Sequence, residues 1–101
     1  MAAKPKPDPT LVPLSAPEAK ALARTIVETG VVEFSGHAHQ ELKNDDLQST
    51  DCLNLLRGGE FQAPEWEKGE LRYRVSTLRM CVVFAFRSTE RLRVITAWRN
   101  R

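Results

Sequence analysis

The residues of this chain best suited to chemistry are a histidine pair and a block of arginines. His37 and His39 stand in Ser35-Gly36-His37-Ala38-His39. The flanking residues make this a strand-to-helix junction, where backbone N–H donors and the helix dipole attract an anion. A neutral imidazole at such a junction can accept a proton. The plainer reading is a histidine that caps or packs the helix start. A metal is not expected there: positions two apart on a helix point to different sides, and no third ligand stands at metal-site spacing.

The arginines are concentrated at one end. Residues 71–101 hold eight Arg, no Lys and a single acid, Glu90, whereas residues 1–70 hold seven Lys or Arg and twelve Asp or Glu. Guanidinium is a flat fork that grips phosphate or carboxylate at two points. A cationic half therefore points to an anionic partner, either nucleic acid or an acidic protein segment. Arg72 and Arg74 alternate with apolar residues and so share one face of a strand; Arg87 and Arg93 fall near the ends of its neighbours. Arginines spread over adjacent strands can clamp a phosphodiester and stabilise charge developing on it. The plainer reading is a solvated sheet face, with some Arg paired to acids of the first half. Trp66, in the polar stretch Pro64-Glu65-Trp66-Glu67-Lys68, could stack on a base or anchor a partner, or pack beneath its loop. Cys52 and Cys81 sit in apolar surroundings and read as small buried hydrophobes. The chain has no phosphate-cradling glycine loop, no G-x-S-x-G elbow and no H-E-x-x-H. An enzyme built from it is expected to need no cofactor.

The elements that must position these residues follow from periodicity and breakers. Residues 1–13 carry four of the six prolines and are expected to be a flexible tail; residues 14–101 are expected to form one domain. Ser15 caps a helix from Glu18 to Thr29, stopped by Gly30. Val31 to Phe34 reads as a short strand, and Ser35 and Gly36 open a helix from about His37 to Lys43. Ser49 caps a third helix, Thr50 to Arg57, ended by Gly58-Gly59. Glu60 to Ala63 suits a short strand and Pro64 to Gly69 a loop. Leu71, Tyr73 and Val75 mark a strand with one buried face; Met80 to Phe86 is apolar on both faces; Leu92 to Trp98 closes the chain, with Trp98 at the core or its rim. The last three strands form an antiparallel meander, so the class is α+β. The longest apolar run, Met80 to Phe86, cannot cross a membrane, and the N-terminus lacks a signal-peptide pattern, so a cytoplasmic protein is expected.

Three stretches resemble a bacterial family still labelled as a domain of unknown function. Val32-Glu33-Phe34-Ser35-Gly36-His37-Ala38 resembles its strand followed by Ser/Thr-x-His-Ala. Asp46-Leu47, Asp51-Cys52-Leu53 and Leu56-Arg57-Gly58-Gly59 resemble its next helix and glycine stop, and Val94-Ile95-Thr96-Ala97-Trp98-Arg99 its closing strand. The resemblance spans about residues 31–99. That family is similar to the BrnT, RelE and MqsR toxins. The resemblance implies a RelE/BrnT-like fold, with N-terminal helices on a three- to four-stranded antiparallel sheet. It implies the toxin of a bacterial type II toxin–antitoxin system, a metal-independent mRNA endoribonuclease whose partners are RNA, free or ribosome-bound, and a cognate antitoxin. His37 would be the acid–base residue, with Arg72, Arg74 and Arg87 holding the phosphate, and Arg79, Arg93, Arg99 and Trp66 would bind RNA. Glu41 stands where the family usually has Arg, which removes a cation near that site. Two other classes fit the residues: a non-catalytic module whose Arg face binds RNA or an acidic protein, and an inactive toxin-like protein that regulates transcription within a complex.

Overall fold

The computed structural model describes residues 8–100. Residues 1–7 of the proline-rich segment lie outside them. Residues 8–13 form a turn: the N–H groups of Leu11 and Val12 donate to the Asp8 carbonyl, the Asp8 carboxylate accepts from Thr10, and Pro9 is buried. Leu14 anchors this segment by donating its N–H to the buried Tyr73 hydroxyl at 2.9 Å.

Three helices stand where the sequence signals put them, except that the N-cap of the third is Gln48 rather than Ser49, with the Gln48 N–H donating to the Asp51 carboxylate at 2.8 Å. Helix α1 is Ala16–Thr29; Ser15 and Glu18 close a capping box, and Ala19, Ala23 and Ile26 are buried. Helix α2 is Gly36–Asn44, capped by Ser35 and burying Ala38 and Leu42; α3 is Ser49–Gly58, burying Cys52, Leu55 and Leu56. The strands are β1 Val31–Phe34, β2 Glu60–Phe61, β3 Glu65–Glu67, β4 Glu70–Ser76, β5 Met80–Phe86 and β6 Arg91–Arg99.

The class is α+β, and the sheet is larger than the three or four antiparallel strands expected. Six strands run β1-β6-β5-β4-β2, with β3 beside β4 on the edge that β2 shares. The β4-β5-β6 meander is antiparallel, but β1 lies parallel to β6, from Val31 opposite Arg91 to Phe34 opposite Val94, so the sheet is mixed. The second departure is Pro64 to Gly69, expected to be a loop. It contains β3, because Lys68 (φ 49°) and Gly69 (φ 80°) supply the two positive φ angles of a tight hairpin turn into β4.

The sheet has two unlike faces. On one, Tyr73, Val75, Val82, Phe84, Phe86, Leu92, Val94 and Ala97 join the buried residues of all three helices in one core. Tyr73 and Phe84 stack with centroids 5.4 Å apart, and Phe86 meets both edge-on. The opposite face carries Arg72, Arg74 and Ser76 of β4 and Cys81, Val83 and Ala85 of β5. The β5 residues are buried but lie outside the core cluster. A bulge between β5 and β6 pairs Val83 with Thr96 but Phe84 with Val94, so Ile95 is the extra residue. Past it the alternation of β6 shifts by one.

Candidate functional site

The sheet face opposite the core holds a shallow pocket of about 500 Å³. Ser35 and His37 line it from the start of α2, Lys68 from the β3–β4 turn, Glu70 and Arg72 from β4, Arg87 from the end of β5, and Arg93, Ile95 and Thr96 from β6. The local sequence explains His37. Ser35 donates its N–H to the Val94 carbonyl (2.9 Å) and its hydroxyl to the Ile95 carbonyl (2.7 Å), while the same hydroxyl accepts the Ala38 N–H (2.9 Å). One residue thus ends β1, caps α2 and ties both to the bulge of β6. His37, in the first turn of α2, is held at the pocket rim.

The arginines are not equally free. Arg72 is held by Glu70 at 2.9 Å and Glu67 at 3.4 Å, Arg74 by Glu67 at 3.5 Å, and Arg87 by Glu70 at 3.5 Å. Arg91, beside Glu33 at 3.1 Å, is also paired. Among the described residues, Arg93 and Lys68 line the pocket without an ion pair. The site therefore combines one imidazole, one carboxylate braced by two guanidinium groups, and two unpaired cations, at the N-terminus of a helix.

The structure brings together His37, Arg72, Arg87 and Arg93 of the expected site residues. Arg74 lies on the same face, outside the pocket lining. Arg79 occupies the β4–β5 turn, beyond the pocket. The side chain of Arg99 is turned to the end of α2, where it donates to the carbonyls of Asp45 and Asp46, and its N–H donates to the Asp45 carboxylate at 2.7 Å. Trp66 is 56% exposed, but it pairs with Leu71, a core-face residue, and so points away from the arginine face. Lys68, Glu70 and Thr96 are pocket residues that sequence reasoning missed. The usable signal was the Glu70-x-Arg72-x-Arg74 alternation, which puts the carboxylate in phase with the arginines.

Other candidates carry less chemistry. Burial, with Asp51 beside it, pushes the Cys52 thiol up to about 11, and burial also raises Cys81, so both resist ionisation. His39 packs against Phe34 with ring centroids 5.8 Å apart. A larger groove of about 770 Å³ runs between α1 and the start of β1, lined by Leu22, Ile26 and Val31 with Glu18 and Glu90, and has no histidine or cysteine. Among the described residues, no three His, Cys, Asp or Glu cluster as metal ligands, and no helix is long and apolar enough to cross a membrane.

Comparison with known proteins returns nothing: no protein-family model, no curated protein and no solved structure matches this chain.

Proposed function

We propose that the sheet face opposite the core binds RNA and cleaves it without a metal ion, as the toxin of a type II toxin–antitoxin pair with a RelE/BrnT-like arrangement. One observation carries the proposal: His37 shares a single pocket with Arg72, Arg87 and Arg93. A phosphodiester is the ligand that such a set suits, because guanidinium groups bind its oxygens and the helix N-terminus adds a favourable field.

The chemistry needs two proton movements, and the pocket has one group for each. Glu70, the only carboxylate lining it among the described residues, accepts the proton of the ribose 2′-hydroxyl as O2′ attacks the adjacent phosphorus. The P–O2′ bond forms, the P–O5′ bond breaks, and His37 delivers a proton to the departing O5′. Arg93 takes the phosphate first, since it has no acid to leave. Arg72 and Arg87 hold Glu70 and then share the negative charge that builds on the phosphoryl oxygens. The products are a 2′,3′-cyclic phosphate and a 5′-hydroxyl end.

A second function is favoured by a different observation. Arg72, Arg74 and Arg87 are each already paired with Glu67 or Glu70, and Glu41, one helical turn beyond His37, adds a further negative charge. Such a balanced face suits a module that binds RNA or an acidic antitoxin segment without cutting.

Induced expression in a bacterial host separates the two. Growth arrest with fragmented RNA, lost in His37→Ala protein that remains folded, supports the nuclease. Normal growth and intact RNA, from soluble wild-type protein, overturn it in favour of the binding module.

A further inference from the structure

The bulge at Ile95 has a consequence for Trp98. Simple alternation along β6 would put Trp98 in phase with Leu92 and Val94, in the core. With one residue inserted, Ala97 takes the core position instead, and Trp98 pairs with Cys81 on the arginine face. Trp98 is only partly buried and lies outside the core cluster. The rungs of this face then follow in order. Ser76, Cys81 and Trp98 make one, Arg74, Val83 and Thr96 the next, and the pocket residue Arg93 pairs with Ala85 beyond it. Thr96 lines the pocket, and Trp98 is two residues further along the strand, about 7 Å. That is the reach of one nucleotide. The floor between them is Val83 and Cys81, both apolar.

We propose that Trp98 is the stacking platform for the nucleobase adjacent to the phosphate bound in the pocket, and that the substrate is single-stranded RNA. The inference rests on the RNA-binding part of the reading above. Charge favours this occupant, because Arg74 borders the same strip and Arg93 and Lys68 bring unpaired cations to its end. The bases inside a continuous duplex are already stacked on one another, so they do not offer a face to this indole, whereas those of a single strand do. Trp66 faces the other side of the sheet and takes no part.

The chain has two tryptophans, so each can be observed alone. Trp66→Phe leaves Trp98 as the only indole, and Trp98→Phe leaves Trp66. Each variant is titrated with a 2′-O-methyl hexaribonucleotide, which resists cleavage, while anisotropy of a dye on the oligonucleotide reports binding independently. Saturable quenching is expected in Trp66→Phe and absent in Trp98→Phe. Trp98→Leu should weaken binding about 5- to 150-fold, the range for losing one stacked base. The corresponding duplex should leave Trp98 unquenched.

Unquenched Trp98 in Trp66→Phe at RNA saturation overturns the inference, whether or not Trp98→Leu folds. Quenching without cleavage of unmodified RNA supports Trp98 and removes only the nuclease. Cleavage with an unquenched Trp98 removes only the stacking platform. No anisotropy change removes both.

Discussion

Glu70 is the residue where two accounts of the site predict opposite kinetics. Its Oε1 lies 2.9 Å from Arg72 and its Oε2 3.5 Å from Arg87. The side chains in these pairs are 19–42% exposed, so solvent screens each pair to about 0.2–1 kcal/mol. Glu70→Gln keeps the shape and should cost no more than about 2 kcal/mol of stability. Its electrostatic effect on the ligand is larger. A phosphate about 6 Å from the carboxylate, at an effective dielectric of about 40, is repelled by about 1.4 kcal/mol, so the neutral amide should tighten RNA binding about tenfold. As general base, however, Glu70 contributes about 10²–10⁴ to the rate. The variant should therefore bind better and turn over more slowly, with KM and kcat falling together. Anisotropy with the 2′-O-methyl oligonucleotide measures the first effect, and cleavage of a fluorogenic ribo-oligonucleotide at saturation measures the second. A kcat that is unchanged or raised would refute the assignment and leave Glu70 as a counter-charge for Arg72 and Arg87.

Further outcomes follow from the packing. Tyr73→Phe removes the acceptor of the buried Leu14 N–H and should lower unfolding free energy by about 1–3 kcal/mol in urea titrations; an unchanged midpoint would mean that the N-terminal segment is not anchored there. Gly59→Ala would put a Cβ 2.6 Å from Val75 Cγ2 and 2.8 Å from the Leu55 carbonyl, which cannot swing away, so a loss of about 1–3 kcal/mol is expected by thermal unfolding. Burial lifts the Cys52 thiol from 9.0 to about 11, so the folded chain keeps a proton that the unfolded chain releases first. Stability should then fall as pH rises through that window, and Cys52→Ala should remove this part of the slope in urea midpoints measured at both ends.

Much of the site could be read before any fold was known. Ser35 and Gly36 mark the start of α2, and the spacing of Leu71, Tyr73 and Val75 puts Arg72 and Arg74 on the opposite face of β4. These signals are local: a cap needs one hydroxyl, and alternation needs one strand. Glu70 escapes notice because the apolar alternation that marks β4 starts one residue after it, and Lys68 because its tight turn lies within a stretch whose polar residues read as loop. Arg99 shows the opposite failure. Its residue type suits RNA, but Asp45 and Asp46 end α2 beside it and engage its guanidinium.

Capping, periodicity and composition act over a few residues, so the helices, the meander, the α+β class and the charge asymmetry are legible in the chain alone. Long-range pairing is what sets β1 parallel to β6, lets the acids of β3 and β4 neutralise three of the arginines, and turns Trp66 and Trp98 to opposite faces. Each of these depends on strand register. One extra residue, Ile95, reverses the face of every side chain after it, and only the partner strand reveals where that residue is inserted.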